Sequence, residues 1–396
     1  MIETREHGVD FSMNDEQAMI VETVQRFVES EIIPLEADLD PDAGELAPDD
    51  AARLTQMTRD MGFYGLDIPA EYGGPGLDTT TRALMAIEMS KHRAGLYNPC
   101  YGVFGGAGLA QLYEATDEQK ERWLYPTLRG EKTGCFALTE PSGGSDPGRA
   151  IRTRGFKDGD EWVLNGSKLF ISGADKADYA LLFARTSDDP GRNGVTAFIV
   201  DTDTPGFNVR RVVHTLRATR YATELEFVDM RVPEDQVLGE LNGGFGIAND
   251  RLSRQRIPYA AGCLGPAIKA QEMAIEWARS RETFGSVLAE KQAIQWMIVD
   301  NEIDIRHGRW CVLEASQKAD RGERFRTEAA MAKLVASEAA GRVVDRCIQI
   351  HGGIGVTKDL PLERWYRELR IRRIGEGPSE VQRLIMARDI LGGSFK

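Results

Sequence analysis

The chain has 396 residues, 42% hydrophobic and 28% charged, with 62 acidic against 49 basic side chains and a net charge of −13. That length suits two or three domains with sizeable cores, and the composition excludes a collagen-like, disulfide-dense or largely disordered chain. The acidic balance argues against a general nucleic-acid binder, because phosphate contacts need basic surface.

The first ten residues, MIETREHGVD, have no apolar h-region and too much acid for a transit peptide. Asn14 followed by Gln17 predicts an N-cap with a capping box, and Ile20, Val24, Phe27 and Val28 continue at helical spacing. A second helix is expected from Pro48 through Leu54, Met57 and Met61, with the proline in its first turn. The stretch YGLDIPAEYGGPGL (64–77) is dense in Gly and Pro and reads as loop. Leu84, Ile87 and Met89 mark a further helix, and Thr116 with Gln119 a second capping box ahead of Trp123 and Leu124. Between them, GGAGLA (105–110) carries part of a dinucleotide fingerprint. It lacks the preceding strand, the third glycine and the acidic residue a ribose needs. It reads instead as small residues at helical spacing where two helices come close.

Near residue 131 the pattern changes to short apolar runs: CFALT (135–139), EWVLNG (161–166), KLFIS (168–172), YALLFAR (179–185), VTAFIVD (195–201) and TELEFVDM (223–230). Turn formers separate them and no helix intervenes, which predicts an antiparallel β-sandwich or barrel. From Phe245 the helical period returns over 245–280, 292–320 and 327–350, lengths suited to a bundle. A last helix runs from Pro378 and Ser379 to Ile390. The expected fold class is α+β multidomain: an N-terminal α-bundle over 1–130, a middle β domain over 131–238, and a C-terminal helical bundle over 239–396.

Five cysteines at 100, 135, 263, 311 and 347 have no CxxC spacing, and the five histidines form no HExxH. Buried thiols in a reducing compartment, and no metal, are expected. The longest apolar stretches are far short of a membrane span. A cytoplasmic protein, or a mature one of the mitochondrial matrix, is expected.

Four stretches carry candidate chemistry. In ALTEPSGGSDPG (137–148), paired glycines and serines can bring N–H and O–H donors up to a phosphate or heteroaromatic ring, or can simply connect two strands. In NGSKLFISGADKADY (165–179), Phe170 and Ser172 can share one ligand edge, or Phe170 can fill a core. In SRETFGSVLAEKQAIQ (280–295), Arg281 suits a pyrophosphate or a salt bridge, Phe284-Gly285 makes a turn, and Gln292 is expected about one turn inside the next helix. In the fourth, Gly352-Gly353 ends a helix as a C-cap would, and Gly375-Glu376-Gly377-Pro378-Ser379 turns into the last helix. Glu376 there is either a general base or an acid favoured by a helix start.

These motifs, with DMRVPEDQVLGE (229–240) and EGPSEVQRLIMAR, in this order and within an α–β–α outline, resemble the acyl-CoA dehydrogenase family over nearly the whole chain. The resemblance implies a C-terminal four-helix bundle and FAD held between the last two domains. By motif, the flavin and its phosphates would meet Phe136, Leu138, Thr139, Gly144, Ser145, Phe170, Ile171 and Ser172. A neighbouring subunit would offer Arg281, Phe284, Gln292, Gln349, Gly352 and Gly353, and Pro378 and Ser379 would lie near FAD. Phe170 stands where many members have Trp, and Pro378 where Thr is commoner. The implied reaction is α,β-dehydrogenation of an acyl-CoA, with Glu376 as the base. Gln255, where some members carry their base, cannot take a proton. Ser145, Ser253, Arg256 and Gly377 would touch the substrate. Electron-transfer flavoprotein as acceptor and a homotetramer built as a dimer of dimers are implied. An acyl-CoA oxidase using O2 and a non-catalytic subunit of the same fold are the alternatives. Tyr97, Tyr101 and Phe104 are pocket liners or core.

Overall fold

A computed structural model describes residues 9–106, 108–189, 191–217, 219 and 222–393. The chain divides into two compact units: Met1–Phe63, Gly76–Phe104 and Ser253–Lys396 form one, Tyr64–Pro75 and Gly105–Leu252 the other.

The first unit is helical. Helix α1 (Asp15–Phe27) opens on the predicted capping box, with Gln17 N–H donating to Asn14 Oδ1 at 2.8 Å and Asn14 N–H to Gln17 Oε1 at 3.2 Å. It runs on through a π turn, Val28–Ile32, into Ile33–Glu36. Helix α2 (Pro48–Asp60) has its proline in the first turn, and α3 (Thr79–Met89) is capped by Asp78. The long helices follow: α4 (Gly244–Ser280), which belongs to this unit from Ser253 on, α5 (Gln292–Asp320) and α6 (Arg326–His351). Helix α7 (Leu362–Arg372) and α8 (Ser379–Ile390) complete the chain. Gln292 is the first residue of α5, not a turn inside it.

Small side chains set the packing of α4. Ala267, Ala270 and Ala274 share a core with Val343, Val344 and Cys347 of α6. Gly265 lies so close to α3 that a Cβ there would stand 2.4 Å from the Ile87 carbonyl oxygen. That approach is open only to glycine.

Helix α7 went unpredicted because its sequence reads as a basic run. Its inner face nonetheless buries Trp365 and Leu369 together with Arg364, Glu368 and Arg372. A charge run on one face of a helix conceals the apolar period when polar side chains are buried with it.

The second unit is built on one eight-stranded sheet. Its strands are β1 (Gly134–Ala137), β2 (Arg154–Asp158), β3 (Glu161–Ser172), β4 (Tyr179–Arg185), β5 (Val195–Asp201), β6 (Phe207–Val213), β7 (Ala222–Pro233) and β8 (Val237–Leu238). The order is β6-β7-β3-β2-β4-β5-β8, with β1 on β4. Pairing is antiparallel except for β1 beside β4 and a single Arg154–Arg185 pair joining β2 to β4, where the expectation was antiparallel throughout. The chain passes through β2 and β3 before β4, and such a crossover allows a parallel neighbour that a short hairpin cannot make.

EWVLNG and KLFIS form one strand rather than two, bent by register shifts at Leu164/Gly166 and Leu169/Ile171. Strands β2 and β6 were missed because most of their side chains face solvent. On β4, Ala180, Leu182 and Ala184 enter one core while Tyr179, Leu181 and Phe183 enter another. Burial on both faces makes its sequence continuously apolar.

GGAGLA belongs to this unit, and helix packing is not its role. Gly105 (φ +61) and Gly108 (φ +64) lie in loop, and a Cβ on Gly105 would meet the Tyr64 ring at 2.5 Å.

All five cysteines are free thiols; Cys311 is half-buried and the rest are buried. Among the described residues no helix is long and apolar enough to cross a membrane, and no group of His, Cys, Asp and Glu is arranged to hold a metal.

Candidate active site

In the sheet unit, a buried ion pair ties the SGGS loop to β3. Lys168 is fully buried, and its Nζ donates to Glu140 Oε1 (2.8 Å), the Leu138 carbonyl (3.2 Å) and the Phe183 carbonyl (2.6 Å). Glu140 also accepts the Arg152 N–H (2.5 Å) and the Thr153 N–H (3.1 Å). Burial opposes the carboxylate, but Lys168 and these N–H groups outweigh it and hold Glu140 below the usual range. Leu169 N–H donates to the Thr139 carbonyl at 2.8 Å, closing the contact between the two segments. Phe170 then sits at the bulge with φ +61 and is 56% exposed. A non-glycine residue in that conformation costs on the order of 1–3 kcal/mol. Here it frees the ring from the core, the place that an aromatic in a sandwich would otherwise take.

Gly144, Ser145 and Ser172 are exposed beside these segments in the chain, whereas the side chains of Leu138 and Ile171 are buried in the two cores. Those two can offer a ligand only backbone groups. The Phe136 ring packs on Phe183 (5.0 Å), and the Arg251 guanidinium stands 4.2 Å from its centroid.

In the helical unit, Glu376 has φ +54 and Gly377 φ +90. The turn is held from behind. Gln382 Nε2 donates to the carbonyls of Glu376 (3.0 Å) and Gly377 (2.8 Å), and Lys333 Nζ to those of Gly377 (2.8 Å) and Arg373 (3.2 Å). Lys333 and Gln382 are fully buried. Burial brings the Lys333 ammonium down to about 8. Gly375 makes room for Tyr259 of α4: a Cβ on it would stand 2.4 Å from the Tyr259 hydroxyl. Arg256, one helical turn before Tyr259, is buried; desolvation and the Arg326 charge lower it to about 10 against the opposing pull of Glu376. Ser379 is buried, its Oγ donating to Glu338 Oε1 at 2.7 Å. Ser253 and Gln255 lie on α4 beside Arg256 in the chain.

A third group is exposed. Glu282–Thr283 and Ser286–Val287 form a small hairpin with Phe284 (φ +51) and Gly285 (φ +77) at its tip. Phe284 is 99% exposed. Trp277 lies between the Arg281 guanidinium (5.9 Å) and the His351 ring (5.6 Å), which links Arg281 to the end of α6 at Gly352 (φ +66). Gln292, Gln349, Gly352 and Gly353 are also exposed.

Of the three pocket-or-core aromatics, Phe104 packs edge-on against Phe27 at 5.2 Å, and Tyr101 donates to Glu36 at 2.8 Å. Tyr97 lies 4.3 Å from the Arg372 guanidinium. Sequence reasoning passed over Lys168, Tyr259, Trp277, Lys333 and Arg372. The available signal was a lone lysine or arginine where the surrounding period places a buried position.

Comparisons with known proteins cover both units. Residues 14–131, 135–230 and 242–391 match the models for the acyl-CoA dehydrogenase N-terminal, middle and C-terminal domains. The chain is 38% identical over 375 residues to the short-chain specific acyl-CoA dehydrogenase, mitochondrial, of Homo sapiens, spanning 94% of this chain and 89% of that one. It is 37% identical over 380 residues to the 3-(aryl)acrylate reductase of Clostridium sporogenes, spanning 95% and 99%. The solved structure of butyryl-CoA dehydrogenase from Megasphaera elsdenii superposes with a TM-score of 0.85 at 33% identity, covering 96% of this chain and 100% of that one.

Proposed function

Because the chain belongs to the acyl-CoA dehydrogenase family, we propose that this oxidoreductase removes the α- and β-hydrogens of an acyl-CoA thioester, with Glu376 as the base. The observation that carries the assignment is the turn at Glu376. Its backbone is held by Lys333 and Gln382 on one side, and Gly375 is pressed against Tyr259 on the other. A carboxylate on so constrained a turn keeps one geometry while it accepts a proton, as general-base catalysis requires.

The cofactor is FAD, and residues of the sheet unit fit it. Phe170 is held outward at a strained φ, and Gly144 has no room for a Cβ without pressing Thr139 Cγ2 at 3.3 Å. FAD, when bound, supplies the acceptor for the β-hydride. Thr139, Gly144, Ser145, Phe170 and Ser172 would face it, with Phe136 at the edge and Leu138 and Ile171 contributing backbone. Lys168 and Glu140 fix the distance between the two segments. In the helical unit, Pro378 and Ser379 would lie near FAD, and the Glu376 N–H would be the donor for the thioester carbonyl. Ser145, Ser253, Arg256 and Gly377 would complete the substrate contacts.

Electrons would leave through an electron-transfer flavoprotein, and the working form would be a dimer of dimers. The exposed Arg281, Phe284, Gln292, Gln349, Gly352 and Gly353 support the second point, since they have the chemistry of a nucleotide clamp and would serve a neighbour's FAD. The test is anaerobic: the purified holoenzyme is mixed with a panel of acyl-CoAs and its visible flavin band followed. Bleaching by at least one acyl-CoA is expected, with reoxidation faster by electron-transfer flavoprotein than by O2. A flavin that no acyl-CoA bleaches would overturn the reading, and rapid reoxidation by O2 alone would make the enzyme an oxidase.

A further inference from the structure

Two buried cations, Arg256 and Lys333, share the charge of Glu376, and a third, Arg372, lies on the far side of Tyr259. Arg256 is 4% exposed, Lys333 fully buried, and Arg372 7% exposed. Among the described residues, none of the three forms an ion pair with a carboxylate. Of the acids nearby, Glu338 is taken by Arg373 (2.8 Å) and Ser379, Glu368 lies 3.3 Å from Arg364 and its charge also reaches Arg372, and the single charge of Glu376 is shared by Arg256 and Lys333. Lys333 is accounted for by two backbone carbonyls. The two arginines are not: Nε and Nη1 of Arg256 and Nε of Arg372 are buried without an acceptor. A buried guanidinium short of acceptors is costly unless something else supplies the negative charge. During the reaction the imbalance grows, because Glu376 becomes neutral on taking the α-proton while the cations stay charged.

The position of Arg372 defines where that charge would sit. Its guanidinium is clasped between two rings, 4.3 Å from the centroid of Tyr97 and 4.0 Å from that of Tyr259. Its Nη2 donates to the Leu96 carbonyl. The far end of Tyr259, its hydroxyl, lies against Gly375, next to the base. One tyrosine side chain therefore spans the step from Glu376 to Arg372. Aromatic faces orient a guanidinium without neutralising it, which leaves its edge for a planar anion.

Building on the acyl-CoA reading, we propose that the acyl group this enzyme prefers is short and ends in a second carboxylate, received by Arg372 between Tyr97 and Tyr259. The thioester end presents its α-carbon to Glu376 and the distal carboxylate ends one tyrosine's length away. A plain alkyl chain in the same place would leave Arg372 without an anion and press methylenes against a charge.

The test compares matched pairs on the holoenzyme: succinyl-CoA with butyryl-CoA, glutaryl-CoA with pentanoyl-CoA, and adipoyl-CoA with hexanoyl-CoA. Flavin reduction in stopped flow gives an apparent second-order rate constant for each. For at least one pair the carboxylated member is expected to be favoured by roughly tenfold to a hundredfold, the range of a charge-assisted hydrogen bond. In Arg372→Leu that ratio should fall toward one, and in Arg372→Lys it should be partly kept. A purely structural role for Arg372 would lower both members of a pair together and leave the ratio unmoved. The proposal is overturned if the alkyl member wins every pair in the wild-type protein, a result that does not depend on any variant folding. Failure of all six compounds and of longer acyl-CoAs removes the acyl-CoA reading itself, and this inference with it.

Discussion

Glu376 shows how a single residue can be legible in sequence while its surroundings are not. A carboxylate between two glycines ahead of a helix start marks a tight turn in any chain, and the turn is present with φ +54 at Glu376. Lys333 and Tyr259, which brace the turn, come from two distant places in the chain and carry no local signal. For Phe170 the stretch taken by itself favoured a core ring over a ligand edge; its bulge and 56% exposure decide against the core. Replacing Glu376 by Gln keeps shape and the backbone N–H but removes the proposed base. Flavin reduction should slow by about 10²–10⁴-fold, with acyl-CoA still binding, as a spectral titration of the oxidised flavin would show. A second residue-scale test concerns Glu36. Burial works against its charge, but hydrogen bonds from His92 Nδ1 (2.7 Å), Tyr101 (2.8 Å) and the Arg93 and Ala94 N–H groups prevail, and its carboxyl falls from 4.5 to about 2. The folded-state value is depressed, so the stabilisation is complete above pH 4.5 and is lost as pH falls toward about 2. Urea unfolding across that window should show a shallower acid decline in Glu36→Gln than in the wild type.

At the scale of elements, what was legible followed burial. Strands β4 and β5 matched their predicted runs, Tyr179–Arg185 and Val195–Asp201, because both their faces are covered. The capping boxes at Asn14 and Thr116 are local chemistry and were readable for that reason. Strand β2 and helix α7 were not, one because it is mostly exposed and the other because it buries charged side chains. The contact of α4 with the Glu376 turn was equally hidden, since a glycine at 375 signals flexibility when its use is to admit Tyr259. Gly375→Ala should therefore destabilise the helical unit by roughly 1–3 kcal/mol, the usual cost of overpacking. Adding Tyr259→Phe removes the atom the new methyl meets and should recover part of the loss. Thermal unfolding of the single and double variants measures both.

For the whole molecule, the surface of α5 bears on assembly. Trp296, Val299, Ile303 and Trp310 are each more than 40% exposed, and they recur at helical intervals on one helix. Phe284, at the hairpin tip before that helix, is 99% exposed. A row of large apolar side chains in water is stable only if a partner covers it, and a second copy of the chain is the partner the family implies. If α5 lies in the proposed interface, Trp296→Glu should shift the protein to smaller species in sedimentation velocity, and FAD should dissociate more readily if Arg281 and Phe284 reach a neighbour's cofactor. An unchanged mass would remove α5 from the interface.

The five free thiols have a use unrelated to catalysis. Each is pushed above the ordinary cysteine range by burial, Cys135 and Cys347 to about 12. Alkylation needs thiolate and access, so at neutral pH the folded protein should be nearly inert to iodoacetamide. Their positions make that inertness informative. Cys135 sits in the sheet core, Cys100 in the segment after α3, Cys263 on α4, Cys311 on α5 and Cys347 on α6. Timed alkylation read by peptide mass would work as a built-in clock, with half-buried Cys311 the first to be marked and the others reporting when each part of the fold opens. If all the buried thiols are marked at one rate, sheet and helices unfold as a single event; if Cys135 keeps its own rate, the sheet opens independently of the helices.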